Sequence, residues 1–140
     1  MTEQSRSCIF CAIASGDNPA EVVDSDETTV AFLDINPATR GHALVIPRVH
    51  AENLFDLTEK DLHATISAAR RLARQMRDTI EPDGINILNS TGRAAWQSVF
   101  HFHLHVIPRY HDDPLQLPWR PGPVDPKELA GVGAELRGER

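Results

Sequence analysis

A run of alternating histidine and apolar side chains, from Val99 to Pro108, constrains this chain more than any other feature. On a β-strand, every second residue projects from the same face, with neighbours on that face about 6.6–6.8 Å apart. The alternation therefore predicts a strand with a histidine face and an apolar face. The histidine face carries His101, His103 and His105. The apolar face points into a core: Phe100, Phe102, Leu104 and Val106.

A row of three titratable imidazoles on one strand face is hard to explain as packing. A lone histidine among apolar residues is usually a satisfied core residue, but three in a row are not. Two functional interpretations stay open. The row binds a catalytic metal, since three histidines form a known zinc ligand set. Alternatively, one imidazole acts as a nucleophile while its neighbours orient it and hold charge.

The length of the chain limits the architectures it can adopt. With 140 residues, it has the usual size of a single domain. Hydrophobic residues make up 41% of the chain, which is an ordinary globular value. A domain of this size buries about 68–70% of the surface that its unfolded chain exposes, so it needs no disulfide bond to fold. The chain is too short for a TIM barrel of about 250 residues.

The charge balance and the apolar runs indicate which partners to expect. The net charge is −6, whereas general nucleic-acid binding needs a basic surface that displaces counterions from phosphates. Residues Met1–Ser7 lack the apolar segment of a secretory signal. Apolar runs such as Ala43–Pro47 are far shorter than the ~20 residues of a membrane span. We therefore expect a cytoplasmic protein that binds neither nucleic acid nor membrane.

Local patterns predict a chain of mixed helices and strands. A short helix covers Ile9–Ser15 and ends at Gly16, and a long helix begins at Thr58 with Asp61 as its capping-box partner. A last helix starts from Pro126. The predicted strands are Glu21–Asp24, Thr28–Ile35, His42–Pro47, Gly84–Asn89 and Val99–Pro108. Because the strands come in runs around one long helix, the predicted fold class is α+β with an antiparallel sheet.

The long helix carries apolar side chains at spacings of three and four residues, which predicts that they face the core. They are Leu62, Ile66, Ala69, Ala73, Met76 and Ile80. Four arginines fall mostly on the other faces: Arg70, Arg71, Arg74 and Arg77. An arginine cluster can bind phosphate, but a solvated helix face is the simpler interpretation.

The histidine strand, His101-Phe-His103-Leu-His105-Val-Ile, resembles the signature of the histidine triad (HIT) superfamily of nucleotide hydrolases and transferases. Further segments occur in the order typical of that family: Cys8-Ile-Phe-Cys11, Ala31-Phe-Leu-Asp34-Ile, Gly41-His42-Ala-Leu-Val-Ile-Pro47-Arg-Val-His50, Asn89 and Gln97-Ser98. The resemblance spans Cys8 to Tyr110 and is strongest to the compact, bacterial Hint-like branch. It implies a single-domain HIT fold with an antiparallel β-sheet meander, one long helix and short flanking helices. Residues 1–112 would form this domain, and residues 113–140 a tail that packs on it or on a dimer partner.

The resemblance implies that His103, the middle histidine, attacks the α-phosphorus of a nucleotide and forms a covalent nucleotidyl-imidazole that water hydrolyses. An imidazole with an unperturbed pKa of ~6.5 has a neutral, nucleophilic fraction at pH 7. For one ring nitrogen to attack, the ring proton must stay on the other nitrogen, and a hydrogen-bond acceptor beside that nitrogen would keep it there. His105, Ser98 and Gln97 would hydrogen-bond the phosphate oxygens, and His42 would help to relay a proton. Each such donor is worth ~3–4 kcal/mol by analogy with an oxyanion hole.

By the same resemblance, an apolar slot binds the base and a carboxylate accepts the ribose hydroxyls. The matching positions are Phe10, Ile13, Phe32, Leu33, Asp34, Ile35 and Asn89. The substrate is then a purine mononucleotide or nucleotide conjugate of the phosphoramidate type, and no organic cofactor is required. Two alternatives stay open: a dinucleoside polyphosphate hydrolase that uses the same residues, and a nucleotide-binding regulatory protein with vestigial activity.

Cys8 and Cys11 form a C-x-x-C pair, and the chain has 2 cysteines in all, so the pair points to a metal or redox site. The resemblance implies a structural zinc ion with His50 and His101 as the remaining two of four tetrahedral ligands. Two alternatives stay open. His101 instead supports His103 by hydrogen bonding, or the cysteines form a redox pair, for which a βαβ context is missing.

Two segments depart from the family pattern. The residues from Arg93 to Trp96 replace a smaller, Gly-rich stretch before the triad, which puts the choice of leaving group in question. In the tail, Trp119 and Arg120 lie among prolines. They either close over the ligand, from the partner subunit of a homodimer, or pack without touching substrate. His63 and His111 carry no motif and are expected at the surface.

Overall fold

The structure is a computed structural model of the chain and describes residues 7–139. Residues 1–6, most of the N-terminal segment that lacks the pattern of a secretory signal, and residue 140 lie outside the described residues. The helices are α1 (Ile9–Ser15), α2 (Glu59–Thr79) and α3 (Pro126–Leu136), with a 3₁₀ turn at Arg93–Ala95. The strands are β1 (Val22–Ser25), β2 (Thr29–Leu33), β3 (Ala43–Pro47), β4 (Gly84–Leu88) and β5 (Leu104–Arg109). The predicted α+β fold class is confirmed.

Within the described residues, the strands form one antiparallel sheet in the order β1-β2-β3-β5-β4. The first three strands are the predicted meander. After β3, helix α2 carries the chain to the far edge of the sheet, where β4 pairs with β5. β5 then occupies the position beside β3, with His105 opposite Leu44. This order brings the histidine strand into the middle of the sheet.

Alternation along the central strands divides the core between the two faces of the sheet. α2 packs on one face, against a cluster that includes Ala31 and Val45. α1 packs on the other face, where Phe10 contacts Phe32. The side chain of His105 lies on the α1 face, whereas its neighbours in sequence, Leu104 and Val106, lie on the α2 face. The face opposite the long helix therefore carries the histidines.

Local capping interactions set the helix ends where the sequence predicts them. The Cys8 side chain caps α1 by accepting a hydrogen bond from the Cys11 amide at 3.4 Å, and Gly16 ends the helix in the left-handed region. α2 begins after Thr58, whose hydroxyl accepts a hydrogen bond from the Asp61 amide at 3.2 Å. Both helices therefore start, and α1 also ends, for reasons that are local in sequence.

The buried face of α2 is shifted by about one residue from the prediction. Ile66 is 42% exposed, which makes its assignment to the core wrong. The buried residues of the helix are Thr65, Ala68, Ala69, Leu72 and Met76. The adjacent alanines present little bulk to the sheet, and the Thr65 hydroxyl donates to the Asp61 carbonyl at 2.6 Å. A polar residue therefore occupies the core position at no cost in unsatisfied hydrogen bonds.

The histidine strand is shorter than predicted, because β5 begins only at Leu104. The preceding residues make other hydrogen bonds instead of joining the ladder. The Phe102 amide donates to the Ala51 carbonyl at 2.7 Å, and the His103 carbonyl accepts from the Asn89 side chain at 3.1 Å. The alternation persists from His101 onward, since Phe102 is buried in the core on the α2 side. Phe100, predicted to point into the core, is only half-buried and belongs to neither core cluster, and the Arg93 guanidinium lies over its ring.

The tail contains the helix that was predicted to start from Pro126, and Asp125 caps it. The apolar side chains of α3 are exposed, including Leu129 at 61% and Leu136 at 84%. The tail thus leaves an apolar helix face uncovered.

Among residues 7–139, no helix combines the length and the apolar character needed to cross a membrane.

The turn before β3 requires glycine at residue 41. Gly41 has a φ of +90°, and a Cβ there would lie 2.8 Å from Ile80 Cδ1 and 3.2 Å from Pro108 Cγ. Gly16 has a similar φ of +85°, but a Cβ there would meet nothing within 4 Å. We expect Gly41→Ala to lower the free energy of unfolding by about 2–4 kcal/mol and Gly16→Ala by about 1–2 kcal/mol. Urea denaturation measures both, and equal losses would contradict the packing argument.

Candidate functional site

A cavity of about 440 Å³ opens on the α1 face of the sheet. This volume lies in the range of small-molecule sites in proteins, about 300–1,000 Å³. Most of the predicted nucleotide-binding residues line it: Phe10, Ile13, Phe32, Leu33, Asp34, Ile35, Ser98, His103 and His105. The fold therefore brings together the apolar slot, the carboxylate and two of the triad histidines.

Asn89 and Gln97 are not among the residues that line the cavity, and both bind backbone groups. The Asn89 Nδ2 donates to the His103 carbonyl at 3.1 Å. The Gln97 side chain is buried, accepts from the Gly92 amide at 2.8 Å and donates to the Glu52 carbonyl at 2.6 Å. Both residues position the segment that carries the triad. Direct contact of either side chain with phosphate stays a prediction.

Other parts of the cavity wall were missed by the sequence analysis. They are Ile9, Asn18, Pro19, Ala20, Asn36, Leu44 and Val99. Leu44 and Val99 are adjacent to motif residues, so their positions beside His105 and Ser98 could have been inferred from the pattern. The Asn18–Ala20 loop carries no motif, and its place at the cavity follows from the way α1 returns to β1.

The backbone holds His103 in one tautomer. Its Nδ1 donates a hydrogen bond to the carbonyl oxygen of His101 at 2.7 Å. A neutral ring with its proton on Nδ1 has an unprotonated Nε2, which is the nitrogen able to attack an electrophile. Burial lowers the pKa of His103, although the bond to His101 and the nearby Asp34 carboxylate oppose the shift. The carbonyl of His101 is thus the acceptor that the predicted chemistry requires.

His42 and His105 form a hydrogen-bond chain with a defined direction. The Ala38 amide donates to His42 Nδ1 at 3.0 Å, which assigns the ring proton of His42 to Nε2. His42 Nε2 lies 2.9 Å from His105 Nδ1 and donates to it. The proton of His105 is then on Nε2. His105 therefore offers an N–H donor at the cavity, and a donor of this kind stabilises an anion.

Burial favours the neutral form of the histidines in the hydrogen-bond chain, because it lowers the pKa of both His42 and His105. Burial lowers the pKa of His42, and the Asp34 carboxylate, 3.7 Å from His42 Nε2, opposes the shift. Burial is also the main cause that lowers the pKa of His105 to about 4, followed by the neighbouring His103 and His42. Neutral rings keep the directed hydrogen bonds intact, because a charged ring would have no acceptor nitrogen.

The low pKa of His105 predicts a loss of stability in acid. Its pKa falls from 6.5 to about 4 on folding, so between these pH values the unfolded chain binds a proton that the folded chain does not. The free energy of unfolding should therefore decrease as the pH is lowered across this window. The contribution of this group is up to about 1.4 kcal/mol per pH unit. We expect His105→Gln to have the shallower dependence in urea denaturation. Equal slopes for variant and wild type would contradict the prediction.

Asp34 lies on the cavity wall beside the histidine chain. One carboxylate oxygen accepts from the Asn36 amide at 2.8 Å, and the side chain is 19% exposed. Potential ligand atoms of Asp34, His42 and His105 lie within 4.8 Å of one another. However, the hydrogen bond between the two rings uses the nitrogens that a metal would need. The carboxylate is instead available to accept hydrogen bonds from a diol.

A second cluster, made of Cys8, Cys11, His50 and His101, lies at the start of α1. Cys8 Sγ is 3.4 Å from His101 Nδ1, and Cys11 Sγ is 3.4 Å from His50 Nδ1 and 3.5 Å from His101 Nδ1. In a tetrahedral zinc site, with Zn–S of about 2.3 Å and Zn–N of about 2.0–2.1 Å, sulfur and nitrogen ligands are about 3.5–3.6 Å apart. We refer to these four residues as the Cys/His cluster, and its size fits a zinc ion.

The surroundings of the Cys/His cluster also fit a metal. His101 is fully buried, and its Nε2 donates to the Pro47 carbonyl at 2.8 Å, which leaves Nδ1 unprotonated beside the thiols. Burial and the neighbouring Cys8 raise the pKa of Cys11 to about 12. A cation at the cluster would reverse this shift, because metal-bound cysteine is a thiolate. His101 thus contributes its ring to the cluster and its carbonyl to His103.

The residues that depart from the family pattern lie at the surface. Trp96 is 67% exposed with a φ of +73°, and the Arg93 guanidinium lies 4.9 Å above the Phe100 ring. Trp119 is 62% exposed, and contact of either tryptophan with substrate stays a prediction. His63 is exposed as well, as expected for a residue without a motif.

Comparison with known proteins gives a match to a family model described as the HIT domain, over residues 15–112. The chain is 42% identical to Protein hit of Bacillus subtilis over 132 residues, which cover 92% of this chain and 91% of that protein. It is 35% identical to adenosine 5'-monophosphoramidase hnt1 of Schizosaccharomyces pombe over 131 residues, which cover 93% of this chain and 96% of that protein.

Solved structures share this fold over nearly the whole chain. A HIT family protein from Bacillus subtilis superimposes with a TM-score of 0.88 at 40% identity, covering 96% of this chain and 97% of that one. A zinc-bound histidine triad family protein from Mycobacterium smegmatis superimposes with a TM-score of 0.76 at 42% identity, covering 96% and 98%.

Proposed function

The chain belongs to the HIT domain family, and we propose that it hydrolyses nucleoside phosphoramidates at the α-phosphate through a covalent nucleotidyl intermediate on His103. The family includes nucleotide-binding proteins and nucleotide hydrolases, and the relative from Schizosaccharomyces pombe is named for phosphoramidase activity. One observation carries the proposal. His103 is fixed by the His101 carbonyl in the tautomer that leaves Nε2 as a nucleophile, at the wall of a cavity large enough for a nucleoside.

In the first half-reaction, the Nε2 lone pair of His103 attacks the α-phosphorus. A bond from Nε2 to phosphorus forms while the bond from phosphorus to the leaving nitrogen breaks, and the leaving amine takes up a proton. The His105 Nε2–H and the Ser98 hydroxyl hold the phosphoryl oxygens, whose charge develops in the transition state. The His42–His105 chain supplies the proton. His105 gives its Nε2 proton to the amine and His42 passes its own Nε2 proton to His105 Nδ1, which leaves the chain one proton short until the second half-reaction.

In the second half-reaction, water attacks the phosphorus, the bond to Nε2 breaks and the mononucleotide leaves. A proton of the water replaces the one given to the amine, so that the His42–His105 chain returns to its starting state. The base lies in the slot between Phe10, Phe32 and Ile13, and Asp34 accepts the ribose hydroxyls. The apolar lining supports this assignment, because an aromatic base is bound by shape and contact with apolar side chains.

For the Cys/His cluster, the proposed ligand is a structural zinc ion. Its support is the set of sulfur-to-nitrogen distances of 3.4–3.5 Å, the donor set of two thiols and two imidazoles, and the zinc-bound relative from Mycobacterium smegmatis. Zinc would supply the positive charge that stabilises the two thiolates. The cluster ties the start of α1 to the segments after β3 and before β5.

The proposed domain comprises residues 1–112, with the tail of residues 113–140 packed against a second copy in a homodimer. The exposed apolar residues of α3 are Leu129, Val132 and Leu136, which lie on one helix face at a spacing of three and four residues. A helix of this length is only marginally stable in water unless it packs against another surface.

The cytoplasmic location inferred from the sequence stays a prediction.

A substrate panel tests the proposed function. We expect release of AMP from an adenosine phosphoramidate with a higher kcat/KM than from diadenosine tetraphosphate. Faster cleavage of the tetraphosphate would identify the dinucleoside polyphosphate hydrolase instead. AMP binding without turnover of either compound would identify a nucleotide-binding protein with vestigial chemistry.

A further inference from the structure

Phe10 occupies the position between the two cysteines of the Cys/His cluster. It lies on α1 between Cys8, which caps the helix, and Cys11, and its side chain is 5% exposed. The backbone on both sides of Phe10 is therefore held by the residues that would bind the metal. A change in the position of either cysteine would move the Phe10 ring with it.

The Phe10 ring contacts the Cys/His cluster, the nucleophile and the cavity wall at once. Its centroid lies 6.0 Å from the His101 ring and 5.1 Å from the His103 ring, which it meets edge-on at 90°. It lies 5.4 Å from Phe32 and lines the cavity with it. Interior packing of this kind transmits displacement, because close-packed side chains have few alternative positions.

His101 provides a second connection between the same two places. Its Nδ1 lies 3.4 Å from Cys8 Sγ and 3.5 Å from Cys11 Sγ. Its carbonyl oxygen accepts the hydrogen bond that fixes the tautomer of His103, at 2.7 Å. A shift of His101 within the Cys/His cluster would therefore move the acceptor on which the nucleophile depends.

From these contacts we infer that Phe10 couples the Cys/His cluster to the nucleotide cavity, so that zinc and nucleotide strengthen each other's binding. The inference rests on the proposed function. Zinc would hold the start of α1 and His101 in one position, and a nucleotide base would pack on the same Phe10 ring from the other side. Because these groups are close-packed, each ligand favours the arrangement that the other ligand binds. The coupling is reciprocal, so AMP must tighten zinc binding by the factor by which zinc tightens AMP binding.

Competition for zinc between the wild-type protein and a chromophoric chelator tests the coupling without measuring turnover. We expect saturating AMP to lower the zinc dissociation constant by about tenfold, which lies in the usual range of coupling between sites. AMP binding itself is measured on the zinc-loaded protein. If AMP binds and zinc affinity is unchanged, the coupling is wrong while the proposed function stands. If AMP does not bind, the proposed function fails and the coupling fails with it.

A pair of variants tests the role of Phe10 in the coupling. Phe10→Leu keeps an apolar side chain but removes the ring that contacts His101 and His103. Ile13→Ala removes a cavity residue that lies beyond Cys11 on α1. Both variants should weaken AMP binding, but only Phe10→Leu should reduce the effect of AMP on zinc affinity to less than about twofold. Retention of the tenfold effect in Phe10→Leu, or its loss in both variants, would overturn the assignment to Phe10.

Discussion

Replacing His103 by alanine is expected to lower kcat/KM for an adenosine phosphoramidate by about 10⁴- to 10⁶-fold, the range measured when a catalytic nucleophile is removed. The substitution removes the attacking Nε2, and the phosphate-binding donors that remain supply only the residual acceleration. The wild type should also accumulate a covalent adduct that intact-protein mass spectrometry detects after acid quench. The variant should show no such adduct.

The matched control for His103→Ala is His63→Ala. His63 is an exposed histidine on α2, which covers the opposite face of the sheet. Its substitution should leave turnover and the adduct unchanged. Because His103 is buried and alanine leaves a void, His103→Gln is measured as well, and thermal unfolding confirms that each variant is folded. Turnover within tenfold of the wild type in both His103 variants would contradict the role of this residue.

The face that most residues of the histidine strand present could be predicted from alternation alone. Period-two patterning is a local property, and it holds from His101 to His103 although the chain leaves the ladder there, but it fails at Phe100, which lies outside the core. The start of β5 at Leu104 could not be predicted in this way. It depends on the Ala51 carbonyl, which accepts from the Phe102 amide, and on the Asn89 side chain, which donates to the His103 carbonyl, and both residues are distant in sequence. Hydrophobic alternation therefore predicts the direction of side chains better than it predicts the first residue of a strand.

The tautomer of His103 could not be obtained from the sequence either. It is set by the carbonyl of His101, two residues earlier, in a segment that does not belong to a strand. Likewise, the direction of the His42–His105 chain depends on the Ala38 amide in the turn before β3. A family resemblance assigns roles to these histidines, but the positions of the protons come from the backbone around them.

The shifted core face of α2 shows a limit of periodicity. Leu62, Ala73 and Ile80 do pack on the core, as predicted, but the most buried stripe runs through Thr65 and Ala68. Apolar spacing ranks Ile66 above Thr65, because it takes no account of the space between helix and sheet. Small residues at the contact and a hydroxyl bonded within the helix decide the packing here.

Loss of the Cys/His cluster should lower the stability of the protein by several kcal/mol. A ligand that binds only the folded state stabilises it by about 4 kcal/mol at a free concentration of 1,000 times its dissociation constant. For a chain of this size, that corresponds to a fall in Tm of about 10–20 °C. We therefore expect His50→Ala and the double variant Cys8→Ser/Cys11→Ser to unfold at such lower temperatures. Scanning calorimetry of metal-loaded protein gives the comparison.

A chelator separates the contribution of the metal from the contribution of side-chain packing. EDTA should lower the Tm of the wild type to that of the double cysteine variant, and it should have no effect on the variant, which lacks both thiolates. His111→Ala is the matched control, since His111 is a surface histidine whose side chain is 92% exposed. It should behave as the wild type does. A wild-type protein that purifies without zinc and is indifferent to EDTA would contradict the metal assignment. The Cys/His cluster would then be held together by its buried hydrogen bonds, such as the one from His101 to Pro47.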